Sequence, residues 1–289
     1  MIYFILLGIM KGAIFALAGW GFSIILGILG IVNFSHGIFF ILGGYLTFTF
    51  AKAGINPWLS ILAASSLVSV YALAIQQFFI NRVMARSHMM VLVLTLGLAI
   101  VAREAMGLAF GYNERLLVIE GVNERTVALF GNEFPVLEAG AFVLSAAVFG
   151  FFFYLFRYTA LGLRLRAIGE NTEIARILGI NVRWNYVFAM LLCGFWTGLA
   201  GGLTIFVIPM DLHQDIYWTV MCFLVVIVGG TGNLAGTFIS AILIGVLLFL
   251  SSIYARGYSD SILYVLLFLL MLVKPTGLFP SKMIVEERK

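Results

Sequence analysis

Two glycine-broken stretches hold most of the side chains able to do chemistry in an otherwise apolar chain. The first, residues 30–37 (GIVNFSHG), sets Asn33, Ser35, His36 and Gly37 between two long apolar runs. These side chains offer hydrogen bonds without a fixed charge. Polar groups on a broken helix at membrane depth are tolerated only in a protein interior or along a water-filled path. A polar turn between two spans is the plainer alternative. The second stretch, residues 228–236 (VGGTGNLAG), repeats the Gly30-to-Asn33 spacing as Gly230 and Asn233. Paired, glycine-interrupted segments point towards a transporter binding site, although a match of two residues also arises by chance. Such a lining suits a small net-neutral solute such as a zwitterionic amino acid, whose two charges half-helix ends can meet.

Other chemistries find little support. The three histidines, His36, His88 and His213, are far apart and lack metal-ligand spacing. No nucleophile motif occurs, and no phosphate-binding GxxxxGK[ST] text, so catalytic and metal residues are expected to be none. An ATP-driven pump built on this chain would borrow its nucleotide site from another one. Cys193 and Cys222 lie in apolar runs and read as small buried hydrophobes. Arg103 and Glu104 fall within an apolar run. Adjacent helix residues do not face each other, so snorkelling at the outer end is expected rather than a pair.

The remaining polar text is the loop 157–185, with Arg157, Arg164, Arg166, Arg176 and Arg183 against Glu170 and Glu173. The arginine excess places it in the cytoplasm. Asn171 reads as an N-cap, Glu173 belongs to the first turn, and Gly179 is the left-handed stop. Between them Ile174, Ile177 and Leu178 form one apolar stripe on a helix of about two turns, marginal alone in water. Either the chain's own helix ends and the lipid surface cover that stripe, or a cytoplasmic partner does. The flanking Gly169 and Gly179 suit a close-fitting partner.

The elements that hold these residues must be membrane helices. The chain has 289 residues, 63% hydrophobic and 10% charged, with 27 Phe. A soluble domain is nearer half apolar and a quarter charged. The net charge of +4 is spread through the loops, which argues against nucleic acid. The first apolar run is read as a span rather than a cleaved leader. Apolar runs at 1–29, 38–50, 59–80, 90–110, 136–156, 186–208, 217–228, 238–254 and 262–273 predict an all-α, polytopic bundle of eight or nine crossings, some broken. The pieces 217–228 and 262–273 are short. Charge asymmetry puts Arg86 and Arg176 inside, Asn113 and Asp211 outside. A small outer hairpin is expected at ERTVALFG. Gly194, Gly198 and Gly202 form small-xxx-small patterns for close helix packing.

The run RAIGENTEIARILGINV resembles the cytoplasmic coupling loop of permease subunits of ATP-binding cassette importers. It is nearest the high-affinity branched-chain amino acid branch, of the LivH/LivM type and closer to LivH. GILGIVNFSHGIFFILGGYL (27–46), VGGTGNLAG (228–236) and VKPTGLFP (273–280) agree, in the same order, along almost the whole chain. The resemblance implies one permease domain over residues 1–289, with 157–185 as its ATPase-coupling loop. Coupling would fall to Gly169, Glu170, Asn171, Glu173, Ala175, Arg176, Gly179 and Ile180, and the pathway to Asn33, Ser35, His36, Gly37, Gly230 and Asn233. It implies a second permease subunit, identical or not, two cytoplasmic ATPases that carry ATP and magnesium, and an extracytoplasmic solute-binding protein. The chain itself would bind no cofactor and sit, multi-pass, in a bacterial inner membrane among lipid. Many members carry an acidic residue after the His-Gly pair; this chain has Ile38, which leaves the solute open among branched-chain amino acids, urea, amides and small organic acids. A passive channel is the rival from another class, and an intramembrane enzyme a third.

Overall fold

The computed structural model describes residues 2–84, 87–119, 125–129 and 131–279. In chain order it contains α1 (Ile2–Ile28), α2 (His36–Lys52), and α3 (Pro57–Ile75), which continues through a π-helical turn (Gln76–Ile80) into α4 (Asn81–Val83). Then come α5 (His88–Phe110), β1 (Thr126–Leu129), β2 (Asn132–Pro135), α6 (Val136–Tyr158), α7 (Ala160–Glu170) and α8 (Thr172–Ile177). The chain ends with α9 (Val182–Thr204), a 3-10 turn (Leu212–Gln214), α10 (Asp215–Gly229), α11 (Leu234–Tyr254) and α12 (Ser259–Val273).

Among the described residues seven helices are long and apolar enough to cross a membrane. They are α1, the α3–α4 rod, α5, α6, α9, α10 with its 3-10 lead-in, and α11. α12, at 15 residues, is a shorter apolar helix, and α2, at 17 residues, is largely buried inside the bundle. The fold is a polytopic helical membrane bundle. The short apolar run 217–228 gains length because Asp211 caps the 3-10 turn, its Oδ1 accepting from His213 N at 2.6 Å.

The bundle is wound around α1. In its apolar window 78% of residues are buried, against 22% for α5 and for α6, so α1 is the axis and the other two form the rim. α1 lies against α11, α9, α6 and α10. α9 earns its inner place by its glycines: Gly194 and Gly198 lie on Ser65, Val68 and Ser69 of α3, and Gly198 also meets Gly43 of α2. A side chain at any of these positions would collide with neighbouring backbone, which is the close approach expected of the small-residue pattern.

The loops sort to two ends. Arg115 and Met210 exchange backbone hydrogen bonds of 2.9 and 2.8 Å, Leu117 N donates to Ile205 O at 2.8 Å, and Tyr45 Oη donates to Asn113 O at 3.2 Å. The Asn113 and Asp211 loops thus share one end of α9, while α7 and α8 stand at its other end with Arg176. That is the grouping expected from charge; Arg86 lies outside the described residues. The hairpin forms as expected, Thr126 opposite Pro135 and Leu129 opposite Asn132, and Gly131 turns with φ +76°.

Candidate functional site

The first break is a built interior knot. After α1 the backbone turns at Gly30, φ +66°, and runs without helix to Ser35. Asn33 Oδ1 accepts from Ser35 N at 2.9 Å and lies 2.9 Å from Ser35 Oγ. Phe34 N donates to Thr95 Oγ1 at 3.1 Å, and Ser35 Oγ stands 3.1 Å from Thr95 O. The first donors of α2 are satisfied: Gly37 N reaches Thr219 Oγ1 at 2.8 Å and Ile38 N reaches Ser35 O at 3.1 Å. His36 Nε2 lies 3.1 Å from Ala18 O, so it must carry the proton. Nδ1 is then the acceptor, 3.7 Å from the Cys193 thiol. Asn33, Ser35 and His36 are fully buried, an interior rather than an open channel in this conformation. Asn33 Nδ2 has no partner among the described residues. Cys193 and Cys222 are free and buried, as expected.

Charge stands closer to this break than the sequence led us to expect. Gly37 abuts the Asp215 carbonyl so tightly that no side chain fits there. The Asp215 carboxylate, 2% exposed, takes Arg103 Nη1 at 3.2 Å. Arg103 is 17% exposed and also reaches Glu104 Oε1 at 3.3 Å. The expectation that Arg103 merely snorkels is therefore corrected: it ties α5 to α10, and its main partner was invisible because it lies 112 residues away. Tyr112 Oη donates to Glu104 Oε2 at 2.9 Å, which pushes the Tyr112 phenol above its usual range.

The second break does not join the first. Gly230 turns with φ +90°, positive like that of Gly30. Asn233, however, caps α11, Oδ1 accepting from Gly236 N at 3.0 Å, while its Nδ2 donates to Phe279 O at 2.8 Å. It pins the VKPTGLF segment, whose Leu278 N donates to Val228 O at 2.7 Å. Gly27, near the end of α1, touches Gly232 of the second break. Gly230 and Asn233 are thus apart from Asn33, Ser35, His36 and Gly37.

The loop between α6 and α9 folds as two short capped helices. Thr159 caps α7, and Asn171 ends α7 and starts α8, its Oδ1 accepting from Glu173 N at 2.9 Å and Ile174 N at 3.0 Å. α8 ends in a Schellman motif: Gly179 N donates to Arg176 O and Ile180 N to Ala175 O, each at 3.0 Å, with Gly179 at φ +79°. Gly169 sits on the Gly27 carbonyl, which fixes α7 to the end of α1. Ala175 is buried, whereas Glu170, Asn171, Glu173 and Arg176 are exposed. Sequence reasoning missed Tyr186, whose hydroxyl lies 3.4 Å from Thr172 Oγ1 and steadies the α8 entry.

The apolar stripe of α8 points outward. Ile174 is 55%, Ile177 84% and Leu178 70% exposed, with Trp184 beside them at 70%. Covering by the chain's own helix ends is thereby excluded for these residues. A crevice of about 660 Å³ opens alongside, lined by Leu178, Gly179, Ile180, Trp184 and Arg164 among others.

A family model described as "Branched-chain amino acid transport system / permease component" matches residues 4–273. The chain is 26% identical to the high-affinity branched-chain amino acid transport system permease protein LivH of Salmonella typhimurium, covering 94% of this chain and 92% of that protein. The LivH protein of Escherichia coli is 25% identical over the same shares. BraD of Pseudomonas aeruginosa, of the same description, is 24% identical over 94% of this chain and 93% of its own. No solved structure matches.

Proposed function

From a chain that belongs to the branched-chain amino acid transport permease family, we propose a membrane-spanning subunit that forms the translocation pathway of a binding-protein-dependent ATP-binding cassette importer. Its solute is a branched-chain amino acid, as named for the relatives. It pairs with a second permease subunit, and two cytoplasmic ATPases dock on the α7–α8 loop. An extracytoplasmic binding protein delivers the solute to this permease, which sits in a bacterial inner membrane. ATP and magnesium belong to the ATPases.

The observation that carries this reading is the capped, outward-facing stripe Ile174–Ile177–Leu178. A six-residue helix does not hold together alone in water, and exposed aliphatic side chains beside a crevice mark an interaction surface. Gly169 on the Gly27 carbonyl links that surface to α1. α1 carries Ala18, the partner of His36, so movement of the loop reaches the first break through one rigid rod. Coupling then requires that the loop bind two ATPase states with different free energies.

The test has two arms. Tagged chain purified in mild detergent is expected to bring two ATPase chains with it, and proteoliposomes of the assembly with its binding protein are expected to take up leucine only with ATP. Asn33→Leu, which removes the acceptor of Ser35 N–H, should slow uptake severely while the binding protein keeps its affinity. Flux without ATP would replace this reading by a passive channel. Failure of leucine, isoleucine and valine together, with urea carried instead, would replace the solute.

A further inference from the structure

A second group of charges stands at the opposite end of α1 from the coupling loop. Lys11 lies seven positions before Ala18 and lines a cavity of about 200 Å³ between α1, α9, α10, α11 and α12. Asp260, in the first turn of α12, lines the same cavity. The two are not an ion pair: the salt bridges among the described residues are those of Arg103. Lys11 Nζ instead lies 4.9 Å from the centroid of the Phe249 ring. A lysine on a membrane helix is expensive unless something meets its charge, and one aromatic face meets it only in part.

Trp218 lines the cavity, is buried, and is held rigidly by stacking on Phe40 with centroids 3.9 Å apart. Its Nε1–H has no acceptor among the described residues. That nitrogen is itself buried, so Trp218 serves the cavity as a rigid wall. Ile14, Phe15 and Leu248 give the wall its apolar part, and Thr204, Tyr217, Ser252 and Ser259 add hydroxyls. A cation, a separate carboxylate and an apolar patch are together complementary to a zwitterion with an apolar side chain.

We propose that this cavity is a binding site for a zwitterionic α-amino acid with an apolar side chain. Its carboxylate meets Lys11, its ammonium meets Asp260, and its side chain lies on Ile14, Phe15 and Leu248. The site rests on the permease reading above for its class of solute, and it stages the solute at the mouth of the bundle, away from the buried knot at Asn33–His36. A cavity of this size holds one such molecule with little room to spare, since an engineered space of about 150 Å³ takes benzene.

The experiment uses the permease–ATPase assembly in lipid discs without the binding protein. Ser252, exposed at the cavity wall, is replaced by cysteine as a reporter for an impermeant maleimide; Cys193 and Cys222 are buried. Leucine at about twice its dissociation constant should slow labelling roughly threefold, since one site in three is then empty. Isovalerate, lacking the ammonium, and isopentylamine, lacking the carboxylate, should not slow it. Lys11→Gln and Asp260→Asn should each abolish the protection, and Ser259→Cys serves as a second reporter. Protection by another apolar amino acid, in an assembly that does not carry leucine, supports the site and removes only the branched-chain reading. Leucine uptake without protection overturns the site and leaves that reading intact. Equal protection by either singly charged analogue overturns it, as does slower labelling in phosphatidylethanolamine than in phosphatidylglycerol discs with no leucine present, which marks a lipid headgroup.

Discussion

Arg103 and Asp215 bring a fixed charge pair to the head of α2, where every other group is a neutral hydrogen-bonding one. The pair is worth little as net stabilisation, because removing two charges from water is expensive. Breaking it is another matter. Arg103→Leu leaves a carboxylate 2% exposed without its partner, and is expected to destabilise by about 3–5 kcal/mol, whereas Arg103→Leu with Asp215→Leu should recover most of the loss. Thermal unfolding of the detergent-solubilised chain measures both; a single variant as stable as the parent would show the pair to be idle. This residue-scale geometry was only partly legible. The polar knot announced itself because Asn, Ser and His between apolar runs have few places to go. The arginine misled because its neighbour in sequence, Glu104, is the lesser partner, and spacing rules within one helix say nothing about a residue on another.

At the scale of elements, α8 shows which signals a sequence carries well. Caps are local, made by side chains within a few positions, so Asn171 and Gly179 mark the helix correctly before any tertiary contact is known. What covers a helix is not local, and the outward turn of Ile177 follows only from the way Ala175 and Gly169 are packed. Because Ile177 is 84% exposed, Ile177→Asp should leave insertion and stability of the chain unchanged while co-purification of the ATPases falls at least about tenfold, the effect of roughly 1.4 kcal/mol at an interface. Gly179→Val, by contrast, forces a β-branched side chain into φ +79° and should loosen α8 itself. Substrate-stimulated ATP hydrolysis reports both, and normal hydrolysis in the pair would take α8 out of coupling. The hairpin and the glycine face of α9 were legible for the same reason as the caps. The separation of the two breaks was not: the Gly-to-Asn spacing is equal in sequence, yet Asn233 faces the C-terminal segment rather than Asn33.

For the whole molecule, sidedness follows from which loops share an end of the bundle. Asn113→Cys and Asp211→Cys should both label with an impermeant maleimide in intact spheroplasts, and Arg176→Cys only after lysis; equal labelling of all three would invert or break the arrangement. The axial place of α1 has a consequence in time. It leaves the ribosome well before its main neighbour, α11, which begins more than 200 residues later. At about 5–20 residues per second, α1 waits on the order of ten seconds or more with its glycine-lined flank and Lys11 facing lipid. The chain therefore closes like a clasp, an early segment on a late one. Nascent chains arrested before Leu234 should be degraded many times faster by a membrane protease than chains arrested after Tyr254, a difference that pulse-chase measurement reads directly. A co-expressed fragment carrying α11 and α12 should protect the shorter ones. Survival of the early-arrested chains by themselves would mean that α1 finds another shelter while it waits.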